Sequence, residues 1–106
     1  MSEVIEIDDS MFDEKVFQNN KPVLVDFYAK WCGPCRMLAP VIAEVASETQ
    51  DMDFFSVDIE KSPAFAAKFG IRNIPTLLLF NGNDLVARQT GALAKPQLQE
   101  FINQAL

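Results

Sequence analysis

The spacing of apolar and polar residues changes period along the chain, and each change marks an element. Val4 to Ile7 reads as a short strand. Asp8, Asp9 and Ser10 then offer N-caps for a helix that carries Phe12, Val16 and Phe17 and ends near Asn19-Asn20. Pro22 to Ala29 (PVLVDFYA) is β-rich and apolar on both alternating faces, the pattern of a central strand covered on each side. One residue in its middle, Asp26, breaks that pattern. From Gly33 to about Glu48 the period becomes helical: Leu38, Val41, Ile42 and Val45 fall at i, i+3, i+4 and i+7, and Pro34 suits the first turn. Pro40 lies inside this helix, where it removes a backbone hydrogen bond and should bend the axis. Met52 to Ile59 is the next strand, and Pro63 to Phe69 is a helix of about two turns that Gly70 can close in the left-handed conformation. Thr76 to Phe80 is strand-like, and Asn81-Gly82-Asn83-Asp84 is the strongest turn signal in the chain, so Leu85 to Thr90 folds back antiparallel. Gly91 ends that strand. Pro96 opens a last helix whose Leu98, Phe101 and Ile102 face the core. The order β-α-β-α-β-α-β-β-α predicts an α/β fold, with a central mixed sheet of about five strands, helices on both faces and an antiparallel hairpin at one edge.

At 106 residues, without linker, repeat or low-complexity stretch, the chain is expected to form a single domain over 1–106. Fifteen Asp+Glu against 9 Lys+Arg give a net charge of -6, which repels phosphate backbones and anionic lipid. Nucleic acid is not an expected partner. The longest apolar runs, Ala64–Ala67 and Leu77–Phe80, are far too short to cross a bilayer, and the acidic opening Met1-Ser2-Glu3 lacks the basic start of a signal peptide. Neither a membrane anchor nor export is expected, which favours a cytoplasmic location.

The chain has no His, so a His-based triad, a Cys-His nucleophile and the commonest zinc ligand are all excluded. Its 2 cysteines, Cys32 and Cys35, are too close together to act as a useful staple, because bridging so short a loop removes little denatured-state entropy. Chemistry or metal remains. A strand-to-helix junction places Cys32 near the N-cap and Cys35 one turn inside, close enough for a disulfide to close and reopen. The unpaired N–H groups and positive end of the helix favour an anion at Cys32 over Cys35, so Cys32 is the candidate attacking thiolate. Gly33 lets the backbone turn without a Cβ clash, while Pro34 fixes φ; both are candidates for tuning the redox poise. Asp26 lies six residues before Cys32 on the buried strand. Desolvation should raise its pKa, which would let it take the proton of Cys35 when that thiol becomes the resolving nucleophile. The alternative for Asp26 is a buried acid simply hydrogen-bonded to backbone or water.

The segment Asp26-Phe27-Tyr28-Ala29-Lys30-Trp31-Cys32-Gly33-Pro34-Cys35 resembles the active-site segment of the thioredoxin family, and Gly70-Ile71-Arg72-Asn73-Ile74-Pro75-Thr76 resembles its cis-proline segment. The likeness continues through Phe80 and Gly91-Ala92 to the last helix. A bare CxxC is a weak signal; WCGPC with the upstream Asp and the downstream Ile-Pro-Thr at these separations is a strong one. The resemblance implies the thioredoxin fold and a protein-disulfide reductase. Cys32 would attack a target disulfide, Cys35 would resolve the mixed disulfide, and a flavin-dependent thioredoxin reductase using NADPH would regenerate the dithiol. Flavin and NADPH would reside on that reductase, since this chain carries no Gly-rich nucleotide motif, and no cofactor or metal is expected on the chain itself. The implied partners are the reductase and disulfide-containing target proteins, met by a monomer.

By the same resemblance Pro75 is cis and faces the cysteines, and the backbone of Ile74 pairs with an extended target segment. Trp31, Ile74, Pro75, Gly91 and Ala92, with Gly33 and Pro34, would form an apolar, low-charge rim around Cys32. Trp31 could instead be an ordinary half-buried aromatic, and Gly91 a simple strand terminator. Arg36, Lys30 and Arg72 could bias partner choice or be solvated charges. Two positions depart from the family pattern. Ser56 stands where many members carry a Lys near the buried Asp, which should leave Asp26 harder to ionise. The glycine of the hairpin turn also comes one residue early.

Three rival readings remain. A structural zinc site would need a metal-bridged oligomer, because 2 Cys and no His supply only half of the ligands. A glutaredoxin or an oxidising periplasmic protein would carry a dipeptide other than Gly-Pro between its cysteines. The last is a thioredoxin-like binding subunit of a larger assembly with a secondary redox role.

Overall fold

Seven consecutive residues, Pro22–Tyr28, form the central strand β2, and their alternation divides the molecule into two layers. The computed structural model describes residues 2–106; Met1, part of the acidic opening, lies outside them. Around β2 stand β1 (Val4–Glu6), β3 (Asp53–Asp58), β4 (Thr76–Asn81) and β5 (Asp84–Thr90), with helices α1 (Gly33–Glu48), α2 (Pro63–Lys68) and α3 (Lys95–Ile102). The five strands form one sheet in the order β1-β3-β2-β4-β5. β1, β3 and β2 run parallel; β4 is antiparallel to β2, and β5 to β4. This is the mixed sheet expected from the element order, with the hairpin at one edge.

Leu24, Phe54, Leu77 and Leu79 pack on one face against Leu38, Ile42 and Val45 of α1 and Leu98, Phe101 and Ile102 of α3. On the other face Val23, Val25, Phe27, Val57, Leu78 and Phe80 meet Phe12, Val16 and Ala66 of α2. Apolar side chains therefore cover both faces of the sheet, which explains why β2 and β4 read as nearly continuous apolar runs. α1 runs unbroken through Pro40. Pro40 and Arg36 are both exposed, on the side where a carbonyl freed by the proline can meet water.

The first helix departs from expectation. Asp9–Met11 is a 3-10 turn and Asp13–Phe17 a π-type turn, closed by the Gln18 N–H donating to the Asp13 carbonyl at 2.9 Å. Two tertiary demands account for it. Phe12 and Phe17, five apart, both enter the aromatic cluster, their rings 5.3 Å apart, and a five-residue turn brings i and i+5 to one side where a regular helix would splay them. Asp9, meanwhile, reaches across to α2, where its carboxylate accepts the N–H groups of Ala64 at 2.9 Å and Phe65 at 3.1 Å. That carboxylate caps a helix distant in sequence. Smaller differences concern boundaries. α3 begins at Lys95 rather than Pro96, and the hairpin pairs out to Asn81 and Asp84, leaving Gly82, with φ of 59°, at the first position of a two-residue loop. Gly70 takes φ of 65° after α2, as a left-handed terminator does.

Phe12 is fully buried, with its ring 4.1 Å from that of Phe65 and 6.0 Å from that of Phe80. Phe12→Ala is expected to cost roughly 3–5 kcal/mol, measured as a lower urea midpoint at unchanged m.

Candidate active site

The end of β2 delivers the chain to α1 through Ala29, Lys30 and Trp31. Cys32 is the N-cap of α1, in extended conformation at φ -84° and ψ 113°. The loop is held by the Cys32 N–H donating to the Ala29 carbonyl at 3.2 Å and by the Arg36 N–H donating to the Cys32 carbonyl at 3.1 Å. Cys32 and Cys35 form a disulfide with Cα atoms 5.2 Å apart. The Cys35 N–H donates to Cys32 Sγ at 3.2 Å, so one of the orphan donors of the helix start is aimed at that sulfur. Both cysteines are buried in this state, in a small cluster with Ala29 against which Tyr28, Ile59 and Ile74 pack.

One expectation about Gly33 needs correction. Its φ is not among the positive ones, and a Cβ there would meet nothing within 4 Å, so the turn itself does not demand glycine. Pro34 occupies the first turn of α1, exposed to solvent.

Opposite the cysteines the Ile74-Pro75 peptide is cis. The Ile74 carbonyl oxygen lies 3.8 Å from Cys32 Sγ, and the Pro75 carbonyl accepts the Gly91 N–H at 2.8 Å. Gly91 holds φ of 96°, a conformation that glycine adopts without strain; it does more than end a strand. Cys32, Cys35, Ile74, Pro75 and Gly91, scattered in sequence, thus converge. Ala92 follows on the surface, outside the packed cluster. Trp31 is 64% exposed, not half-buried, and its indole N–H donates to Glu60 Oε2 at 2.8 Å. Glu60 is set by its own N–H donating to the buried Asp58 carboxylate at 3.0 Å. The rim is therefore less free of charge than expected.

Glu60 carried no visible signal in the sequence. Met37 did: it is an apolar residue off the buried stripe of α1, and it stands 72% exposed one turn after Pro34. Lys30, Arg36 and Arg72 are exposed, and the Arg36 guanidinium donates to the Lys30 carbonyl at 3.1 Å.

Asp26 is 5% exposed and stands in register between Ser56 on β3 and Leu77 on β4. It lines one cavity together with Cys35, Ala39, Ile42 and Ser56, so α1 packs back over the carboxyl as the topology required. Its Oδ1 receives no hydrogen bond from any described residue. Burial raises its pKa from 3.8 to about 7. Ser56 supplies no charge to oppose that shift.

A reversible dithiol at a helix N-cap, a cis-proline facing it and a buried acid behind it define a thiol-disulfide oxidoreductase of α/β architecture. The Thioredoxin family profile matches residues 3–104. The chain is 47% identical to a thioredoxin of Haemophilus influenzae over 105 residues, 98% of each chain. It is 42% identical to a thioredoxin of Acidithiobacillus ferridurans over 104 residues, 97% of this chain and 96% of the relative. It is also 42% identical to one of Buchnera aphidicola over 101 residues, 94% and 93%. The chain belongs to the thioredoxin family, and its activity is thiol-disulfide exchange. Among the described residues no group of three or more His, Cys, Asp or Glu is placed to hold a metal ion, and no helix is long and apolar enough to cross a membrane.

The folded chain keeps the Asp26 proton up to about pH 7, whereas an ordinary Asp releases it near 3.8. Ionising Asp26 in place therefore costs nothing below the lower value, costs progressively more between the two, and reaches its full cost above pH 7. Asp26→Ala is expected to gain stability over wild type as pH rises from 4 to 8, by up to about 4 kcal/mol. Urea denaturation across that range checks it; a difference that does not change with pH would assign the effect to packing.

Proposed function

We propose that Cys32 is the nucleophile and Cys35 the resolving thiol of a protein-disulfide reductase. The N–H of Cys35 aimed at Cys32 Sγ carries this reading, because it favours negative charge on one sulfur of the pair. In the reduced chain the Cys32 thiolate attacks one sulfur of a target disulfide. A mixed disulfide forms and the other target sulfur leaves as a thiolate. Cys35 then gives its proton to Asp26, whose pKa of about 7 suits transfer in either direction near neutrality. The Cys35 thiolate attacks Cys32 Sγ, releasing the second target thiolate and closing Cys32–Cys35. Two electrons pass to the target and two thiols become one disulfide.

Target proteins would be held at the rim. Ile74 lies just before β4 begins, beside Cys32, where its main chain can take an extended segment as an added strand. Trp31, Pro75, Gly91 and Ala92 would supply apolar contact around it, and Gly33, bare of a side chain, leaves room for a target above the dithiol. Pro34 restrains the CxxC turn and so its redox poise. The dithiol would be restored by a thioredoxin reductase that brings its own flavin and NADPH. The acidic charge of the chain argues against nucleic acid and anionic membranes as partners. A monomer working in the cytoplasm fits a reductant that must stay reduced.

In NADPH-coupled reduction of insulin disulfides with a thioredoxin reductase, Cys32→Ser is expected to abolish turnover. Cys35→Ser is expected to accumulate a mixed disulfide visible by non-reducing mass analysis. Were Cys35→Ser to turn over and Cys32→Ser to trap the target, the roles would be reversed.

A further inference from the structure

A cavity of about 440 Å³ opens on the α1 face of the sheet beside Asp26. Its walls are apolar: Val4 of β1 and Ala39, Ile42 and Ala43 of α1. Ser56, in register with Asp26 on the neighbouring strand, lines it with a small side chain and leaves the space beside the carboxyl open. The polar feature inside is a carboxyl more than nine-tenths buried whose Oδ1 receives no hydrogen bond from any described residue. Lys30, Arg36, Ala39 and Ala43 stand exposed at its mouth, while Ile42 and Asp26 are buried at its base.

The charged and titratable groups around Asp26 do not meet its need. Cys35 is held in the disulfide. The Arg36 guanidinium donates to the Lys30 carbonyl, and the Tyr28 hydroxyl donates to Glu6 on β1. Asp58, two residues along β3, accepts from Glu60. Leu77, the β4 neighbour, is apolar. A ligand suited to this space carries a hydrogen-bond donor at one end and a short hydrocarbon body behind it. A cationic donor fits best, because it stabilises the charged form of an acid that burial alone keeps protonated. The net charge of -6 draws cations toward the chain, while the exposed Lys30 and Arg36 are screened by solvent.

We propose that this cavity is a binding site for a short-chain primary ammonium ion, whose N–H donates to Asp26 Oδ1 and whose hydrocarbon tail lies against Val4, Ala39, Ile42 and Ala43. A tail of roughly three to five carbons matches the apolar walls, each methylene raising affinity about fourfold at most. Below the Asp26 pKa, binding releases that one proton to the buffer; above it, binding releases none. The site lies behind the dithiol, with Cys35 in its lining.

The test uses the oxidised full chain, in which Cys35 carries no titrating thiol, and n-butylammonium as the probe. Carbon-detected NMR is expected to show saturable shifts at the Asp26 carboxyl and at the Ala39 and Ala43 methyls, with the Asp26 midpoint falling below 7. Affinity should rise as pH increases through 7. Tetramethylammonium, equally charged but without an N–H, should not saturate the same signals. Ser56→Met fills the cavity without adding charge and is expected to weaken binding at least about tenfold, equivalent to about 1.4 kcal/mol. Ala43→Leu does the same from α1 and serves if the first variant is not folded by circular dichroism. Equal responses to tetramethylammonium, or undiminished binding in a folded cavity-filled variant, would reduce the effect to counter-ions on an acidic surface and overturn the site. Tighter binding of n-butanol than of n-butylammonium would overturn the ammonium assignment.

Discussion

Everything at the active site depends on how firmly β2 is held. It is bonded along both edges, to β3 on one side and β4 on the other, and it is covered above and below by apolar side chains. A strand bonded on both edges and packed by apolar side chains on both faces cannot slip by one residue without turning Leu24 and Val25 inside out. Its end is therefore a fixed point. The N-cap of α1 stands four residues further on, so the position of Cys32 follows from the register of the sheet.

The same strand carries the one residue that works against it. Asp26 occupies a core position, without a protein donor for Oδ1, and burial holds it as an acid up to about pH 7. A leucine would suit the layer better. The carboxyl that weakens the core is the one proposed to exchange a proton with Cys35 across a shared cavity; on that reading its local cost is kept for function and borne by the surrounding fold. The apolar cluster of that layer, with Leu24, Phe54, Leu77 and Leu79, absorbs it.

Much of this was legible in the sequence because it depends on local pattern. The apolar run around Asp26, the helical period after Pro34, and Gly70 and Gly82 as turn formers all act over a few residues, and each lies where it was expected. The segment after Asp8 was not legible. Its shape is set by partners far along the chain, with Asp9 bonded to the N-terminus of α2 and Phe12 and Phe17 drawn together into one aromatic cluster. The dithiol and Asp26 could be picked out by type and spacing, and the cis-proline by the family resemblance. The link from Asp58 through Glu60 to Trp31 could not, since an acid at a strand end looks like any solvated charge. Gly33 misled in a different way: glycine suggests a backbone requirement, and here the backbone has none.

The Gly91 bond to Pro75 has a further consequence. Sulfur reactivity is local, contained in a single turn of α1, whereas the wall that would select a partner is assembled from segments some sixty residues apart in sequence, Trp31 to Gly91. The two can come apart. If the β4-β5 edge frayed while α1 stayed packed, the molecule would keep an intact attacking group and lose its discrimination, exchanging with whatever disulfide diffused near. On the proposed reading, fidelity would be a property of long-range assembly, guarded by the hairpin.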